Sequence, residues 1–545
     1  MNKYKRLLTN TIVFAIGTFA SKLLVLLLTP LYTKILSPEQ YSIADLVMQT
    51  ANLLIPVFTV SIANAVMRFG MDKHEDKAAV FTTGFTTISI GFAALLLCSP
   101  ALLLLKDGVD SYIPVILMYV LASGMHSLCL QFVRSQGHVK LFAFDGILNT
   151  LLTIGFNILF LVGLNMHVTG YLMSTVLADA LCTNYLRFRQ LNRTLTQGML
   201  KYSIPLIPTT ILWWITNVSD RYMVKYMLGD FENGLYVVAY KIPTILVLVS
   251  MVFADAWQMS AVSEDRATRS DFFGKVFYSF QSIVFIGASV LIMLSKTAMH
   301  LLTYNNPAYA EGWRYMPILI TATAFNCIVT FQSTVYICEK KSVNSMWTSL
   351  VGAVLNIALN ALLIPRLGVN GATAATFISY FTIFWLRYFN TRRFIPFNTH
   401  LPRVCFNTAV LGVQCAVMLL EVKHWLLIEI ALALVVTAFN FKPLIISIRR
   451  LFKRDGLSVK KAAVSADPEI EAEIGAAPEC GEALALESEL NMPQEEKEPE
   501  ADDKSGKDDK TMDRPNESNA SSGAGRYKKS LELYKKRKNN TNGKK

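Results

Sequence analysis

Long apolar stretches alternate with short polar breaks from near the N-terminus to about residue 448. A helix needs roughly 20 mostly apolar residues to cross a bilayer. That window, moved along the chain, predicts fourteen spans centred near Ala20, Leu53, Gly91, Leu121, Ile154, Leu177, Ile215, Leu248, Ile286, Phe325, Leu355, Ile378, Val413 and Val435. Pro or Gly marks several of the breaks: Ser37-Pro38-Glu39-Gln40, Asp107-Gly108, Gly229-Asp230 and Pro365-Arg366-Leu367-Gly368. Backbone polar groups in hydrocarbon must be satisfied within helices or closed barrels, and the alternation that marks barrel strands is absent. The pattern therefore predicts an all-α polytopic membrane protein with fourteen transmembrane helices. At the N-terminus Lys3, Lys5 and Arg6 precede an apolar run, as in a secretory signal. That run extends from Leu7 to about Tyr32 and holds Lys22 instead of a small-residue cleavage site, so it reads as the first span.

Composition agrees with this pattern and sharpens it. Of 545 residues 52% are hydrophobic and 17% charged, against about 25% charged in soluble domains. Residues 449–545 hold 20 Lys/Arg and 20 Asp/Glu, so the +12 net charge belongs wholly to the apolar first 448 residues. A soluble enzyme, a disordered protein and a nucleic-acid binder all fit poorly. The cysteines Cys98, Cys129, Cys182, Cys327, Cys338, Cys405, Cys415 and Cys480 stand singly, with no CxxC pair or ligand spacing, so neither a disulfide framework nor a metal site is expected. Lys and Arg in alternate loops divide about 25 to 7, the larger set including Lys3, Arg68, Arg134, Arg187, Arg266, Lys340, Arg387 and Arg449. The positive-inside rule then puts both termini in the cytoplasm.

The apolar runs also carry internal echoes. Phe156-Asn157-Ile158-Leu159-Phe160 followed by Gly170-Tyr171-Leu172-Met173 is echoed about 200 residues later by Leu359-Asn360-Ala361-Leu362-Leu363 followed by Gly371-Ala372-Thr373-Ala374. At a similar offset Ile35-Leu36-Ser37-Pro38-Glu39-Gln40-Tyr41-Ser42 is echoed by Met227-Leu228-Gly229-Asp230-Phe231-Glu232-Asn233-Gly234. Six spans per period imply two six-helix lobes in a parallel pseudo-twofold repeat, residues 1–198 and 199–395, with two extra helices in 396–448. Transporters built from such repeats bind substrate between their halves near the midplane.

The run Leu200-Lys201-Tyr202-Ser203-Ile204-Pro205-Leu206-Ile207-Pro208, then Trp213-Trp214 and Asn217-Val218-Ser219-Asp220-Arg221, resembles the seventh helix of bacterial polysaccharide flippases. Asn233-Gly234-Leu235-Tyr236-Val237-Val238-Ala239-Tyr240-Lys241, Leu36-Ser37-Pro38-Glu39-Gln40-Tyr41, Arg68-Phe69 and Leu363-Ile364-Pro365 with Asn370-Gly371-Ala372 match as well. The family is the Wzx-type oligosaccharide flippases, of MATE-like fold, in the multidrug/oligosaccharidyl-lipid/polysaccharide exporter superfamily. Ser42 departs from the pattern, which has Gly after the tyrosine. The resemblance covers residues 1 to about 448. It implies movement of an undecaprenyl-pyrophosphate-linked oligosaccharide from the cytoplasmic to the outer leaflet of a bacterial cytoplasmic membrane, for cell-surface polysaccharide biosynthesis. Two relatives of that activity are alternatives: a lipid II flippase and a multidrug/toxin cation antiporter. Neither covalent chemistry nor a cofactor is needed. With no Walker-type P-loop in the chain, the expectation is a transporter driven by H+ or Na+ coupling or by the membrane potential. Partners would be the lipid-linked glycan, the bilayer and polysaccharide polymerase or assembly proteins, with no nucleic acid.

Charge at the bilayer centre costs roughly 2.5–3.5 kcal/mol on insertion scales, so each buried charge is a functional candidate. Lys22, near mid-depth in span one, reads as a cavity cation for the diphosphate or as half of a packing ion pair. Asp220 and Arg221 are adjacent and point about 100° apart, so one is expected to face the cavity while the other pairs across helices. Lys241 precedes Pro243, which removes a backbone hydrogen bond and can kink span eight. Asp255 and Asp179 read as coupling carboxylates or as partners of neighbouring cations. Arg68 is a candidate guard of the cytoplasmic mouth, against simple snorkelling. Asn64, Asn149, Asn157, Asn217, Asn326, Asn356 and Asn360 could meet sugar hydroxyls or bond between helices. Trp213, Trp214 and Trp257 could stack on sugars or anchor the helices. Beyond Arg454, residues 467–517 hold 18 acidic against 5 basic residues and five prolines, a composition that cannot bury enough apolar surface to fold alone. Residues 449–545 are accordingly expected to be a disordered, charged cytoplasmic tail.

Overall fold

The computed structural model describes residues 26–72, 75–104, 108–183, 192–264, 266–304, 306–339 and 341–454. The centre of the first span at Ala20, Lys22, the side chains of Trp213 and Asp255, and the tail beyond residue 454 lie outside the described residues. Within them the regular structure is helical, with no strand. The helices are α1 Thr29–Ile35, α2 Pro38–Phe58, α3 Ile62–Gly70, α4 Lys77–Cys98, α5 Ile113–Ser135, α6 Val139–Asn157, α7 His167–Cys182, α8 Arg193–Ser203 and α9 Leu206–Leu228. They continue as α10 Asp230–Ala239, α11 Thr244–Ser263, α12 Arg266–Met293, α13 Ser295–Leu302, α14 Met316–Cys338, α15 Ser342–Leu367, α16 Val369–Thr391, α17 Leu401–Leu419 and α18 Trp425–Arg454. Each span centre predicted from Leu53 onward falls in one of these helices. Among the described residues, ten helical segments are long and apolar enough to cross a bilayer. The helix α9 is not among the ten, because Asn217, Asp220, Arg221 and Lys225 dilute its apolar character.

The breaks follow local chemistry. Ser37 caps α2: its hydroxyl accepts from the Gln40 amide at 3.3 Å, and the Gln40 side chain accepts from the Ser37 amide at 3.2 Å. This is a capping box with Pro38 preset at the first helical position. Span two is not one helix: Val60 and Ser61 adopt left-handed backbone between α2 and α3. Span eight is also two pieces, because Pro243 cannot continue the ladder and α10 ends at Ala239 before α11 begins. Gly229, at φ 104°, makes the turn between α9 and α10 that a residue with a Cβ would resist. Hydroxyls within the apolar helices are satisfied locally, as where Thr82, Thr86 and Thr87 each donate to the carbonyl four residues back at 2.8 Å.

Packing separates into a large core and a smaller one. In the smaller, Leu195 and Met199 of the amphipathic α8 lie on Ile62, Val66, Phe81 and Phe132 of α3, α4 and α5. In the large core, rings from α11, α12 and α14 and the stretch before α17 interlock around Phe331. The Trp257 ring stacks on it at 4.3 Å, and Phe277 and Phe280 meet it at 5.1 and 5.4 Å. Two polar contacts tie the last helices in: Gln414 donates to Glu429 at 2.7 Å and accepts from Ser289 at 2.8 Å, and Asn407 and Asn440 bond reciprocally.

Candidate functional site

Helix α2 presents Ser42, Asp45, Leu46, Gln49 and Thr50, spaced so that they form one stripe along its surface. This stripe meets α9 and α10. Asp45, buried and about two turns into α2, accepts from Arg221 Nη1 of α9 at 2.7 and 2.9 Å. One turn further, Thr50 and Tyr222 share a hydrogen bond of 2.7 Å, and Trp214 Nε1 donates to the Gln49 carbonyl at 3.0 Å. Toward the start of α2, Ser42 donates to Asp230 at 2.7 Å and accepts from Asn233 at 2.9 Å. Lys225 approaches the same Asp230 carboxylate at 3.2 Å. Gly234 lets the α10 backbone settle on α2, since a Cβ there would lie 2.0 Å from the Pro38 carbonyl oxygen.

Aromatic rings flank the ion pair. The Arg221 guanidinium lies 5.3 Å from the centre of the Tyr240 ring, and Lys241 lies 5.9 Å from that of Tyr41. Tyr32, Tyr41 and Tyr171 form a cluster beside them, with Tyr32 and Tyr171 edge to face at 4.7 Å. Cations above ring faces gain a modest electrostatic attraction that grows as water is excluded. The seam is thus a line of charge and hydrogen bonds set into apolar helices, in which Asp45–Arg221, Thr50–Tyr222 and Ser42–Asp230 join neighbouring helices while Tyr41 Oη, Arg221 Nε and Asn233 Oδ1 are buried without a hydrogen-bond partner.

The residues singled out from sequence fall in different places. Arg221 and Lys241 come together beside Tyr41 and Asp45. Asp220 and Arg221 turn to different partners. Asp220 is buried and accepts from Tyr236 at 2.5 Å, while Arg221 pairs with Asp45. Arg68 is exposed near the end of α3. Asp179 sits in a separate cluster with Asn149 and His126. The asparagines bond between or along helices: Asn217 accepts from Tyr380 at 3.1 Å, Asn360 donates to Asn356 at 3.0 Å, and Asn157 donates to the Thr153 carbonyl at 2.7 Å. Trp257 packs in the aromatic core rather than at an interface. Arg387, counted from sequence among the loop cations, is buried in α16, donating to Thr348, the Val329 carbonyl, Ser349 and Ser333.

Sequence reasoning missed Asp45, Ser42 and Tyr236. A signal existed for Asp45, which lies inside a predicted span and meets the same test that found Asp220. It was hidden by nearness to the Ser37-Pro38 break.

Comparison with known proteins fits this arrangement. Residues 7–258 match the family described as polysaccharide biosynthesis protein. A curated relative, an uncharacterized membrane protein of Methanocaldococcus jannaschii, is 24% identical over 192 residues, covering 35% of this chain and 45% of that one. The chain thus spans under half the length of this curated relative. Among solved structures, the lipid II flippase MurJ in an inward closed conformation aligns with a TM-score of 0.57 and 15% identity, over 82% of this chain and 99% of that one. An inward-facing multidrug resistance MATE family transporter of the MOP superfamily aligns at 0.56 and 14% identity, over 70% and 98%. Residues 7–258 of this chain are thus similar to the polysaccharide biosynthesis family, and its described residues share the fold of the MurJ flippase and MATE transporter structures.

Proposed function

We propose that this protein is a flippase that moves an undecaprenyl-pyrophosphate-linked oligosaccharide from the cytoplasmic to the outer leaflet by alternating access. The observation that carries the reading is the Asp45–Arg221 ion pair in the seam between α2 and α9. A buried pair of this kind roughly breaks even against apolar packing, because desolvation offsets the Coulomb gain. A seam held by such groups can therefore open into water at small cost, whereas a dry apolar seam cannot. On opening, Arg221 exchanges one oxyanion for another. Its planar fork suits a phosphate as well as a carboxylate, so the lipid diphosphate takes the place of Asp45, with Lys241 as the second cation. On closing, Asp45 reclaims Arg221 and the head group is released on the other side. The polyprenyl tail stays in the bilayer throughout.

Two contacts support a repeat that relates the start of α2 to the start of α10, as the two-lobed reading requires. A shift of 192 residues carries Pro38 to Asp230 and Ser42 to Gly234. The close approach of Pro38 to Gly234 and the bond of Ser42 to Asp230 exchange under that shift, as contacts do across a twofold axis. With both termini cytoplasmic, the ends of α1 and α13 lie on the outer side. Thr33 donates to the Leu302 carbonyl at 2.8 Å, Asn306 to the Thr33 carbonyl at 2.8 Å and Tyr309 to the Leu36 carbonyl at 2.9 Å. In that orientation this conformation is closed to the outside.

The test is depletion of the protein in its host, with lipid-linked glycan measured in each leaflet and rescue by wild type, Arg221→Ala, Arg221→Lys or Lys22→Ala. Depletion should trap the glycan on the cytoplasmic side, and Arg221→Ala should fail to release it, with Arg221→Lys retaining part of the activity. Trapping of lipid II instead would assign the protein to peptidoglycan precursor transport. Normal distribution of both lipids would remove the flippase reading.

A further inference from the structure

A second cluster of chemistry lies away from the seam, within α5, α6 and α7. His126 of α5 stands between two carboxylates. Its Nε2 is 2.7 Å from Asp145 of α6, and its Nδ1 is 3.2 Å from Asp179 of α7. Asn149 of α6 donates to the same Asp179 oxygen at 2.8 Å. Cys182, one turn beyond Asp179, is buried and a free thiol. One ligand atom each from His126, Asp145 and Cys182 lies within 4.8 Å of the other two.

We propose that His126, Asp145 and Cys182 form a binding site for a divalent metal ion of the zinc class. The donor set is one imidazole nitrogen, one carboxylate oxygen and one sulfur. Mg2+ and Ca2+ take oxygen ligands, whereas a thiolate selects zinc and its neighbours. Bonds of about 2.0–2.3 Å in a tetrahedron bring ligand atoms to roughly 3.5 Å from one another. Their present spacing, within 4.8 Å, must close to that value when the ion binds. The ion takes the place now held by the hydrogen bond between His126 Nε2 and Asp145. A divalent ion offsets the thiolate and the Asp145 carboxylate, and the Asp179 carboxylate at Nδ1 leaves the cluster with one negative charge.

The surroundings match those of a metal site in a further respect. A ligating histidine commonly donates its other ring N–H to a carboxylate, which fixes its tautomer and orientation. Asp179 stands at Nδ1 in that role and is itself held by Asn149. Three protein ligands leave a fourth position open to water or another ligand. The ion would clamp α5, α6 and α7 together. Spacing in the sequence hides this site because each ligand comes from a different helix.

The experiment uses the full chain in lipid nanodiscs, stripped with a chelator and titrated with Co2+ and then Zn2+. The expected result is one Co2+ per chain, with a near-ultraviolet thiolate-to-cobalt absorption that Zn2+ abolishes. Cys182→Ser should remove the absorption, His126→Gln and Asp145→Asn should remove tight binding, and Asp179→Asn should weaken it by about 10–100-fold. Metal should raise the melting temperature of wild type and leave that of Cys182→Ser unchanged. Cys98→Ser and Cys405→Ser, at exposed thiols, should leave the absorption intact. The proposal is overturned by wild-type protein that binds no Co2+. It is equally overturned by absorption that persists in a Cys182→Ser protein of wild-type melting behaviour, or that vanishes with Cys98 or Cys405.

Discussion

Two seams in this molecule are both buried and both join helices, yet they are built from opposite materials. Between α2 and the α9–α10 pair the contacts are Asp45 with Arg221, Thr50 with Tyr222 and Ser42 with Asp230. Among α11, α12 and α14 they are aromatic rings, with Trp257, Phe277 and Phe280 closed around Phe331. The aromatic seam gains from dispersion and close packing, and none of that gain survives separation. The polar seam loses less on separation, because water or a charged ligand replaces each partner. One is suited to permanent contact and the other to an interface that parts and rejoins.

That contrast can be broken from either side. The largest effect is expected for Phe331→Ala, which empties the centre of the ring cluster and should cost about 3–5 kcal/mol of stability. Thermal unfolding in detergent would show it, while transport per folded molecule should stay near wild type. A transport defect without a stability loss would mean that the aromatic seam moves too. Asp45→Asn comes next, at about 3 kcal/mol, because it leaves Arg221 buried without its counter-charge. Removing both charges, in Asp45→Asn with Arg221→Gln, should bring the melting temperature back near wild type without restoring transport. If the double variant transports normally, the exchange of Asp45 for a phosphate is wrong.

Smaller changes sharpen the picture. Gly234→Ala sets a Cβ against the Pro38 carbonyl and should disfavour the closed seam by about 1–3 kcal/mol. Cross-linking between cysteines placed on α2 and α10 would fall accordingly, with little change in overall unfolding. Tyr222→Phe, which removes one bond to Thr50, should shift stability by no more than about 1 kcal/mol. A larger loss would show that the hydroxyl bonds, rather than the ion pair, hold the seam.

Much of this architecture was legible in the sequence, but unevenly. Apolar runs locate helices because backbone in hydrocarbon has few other ways to satisfy its polar groups, so the predicted centres from Leu53 onward fall on helices. Intramembrane charge marked Asp220, Arg221, Lys241 and Asp179 as worth attention. It did not say what each would touch. Arg387 looked like a loop cation and is buried among hydroxyls. Asp45 was not singled out and is the counter-ion of Arg221. His126 and Asp145 drew no notice, although each is a charged or titratable residue inside a predicted span.

What the sequence alone determined is the class of molecule: an all-helical membrane protein, its helix positions, its main breaks at Ser37-Pro38, Gly229 and Pro243, and the short roster of charges that its interior must accommodate. These follow from properties local to a few turns of chain, namely apolar length, caps and the missing N–H of proline. Partnership was decided only by the tertiary structure. Asp45 and Arg221 are 176 residues apart in sequence, and His126, Asp145 and Cys182 come from three helices. Such pairings depend on how helices rotate and cross, which is fixed by packing over the whole bundle rather than by any one segment.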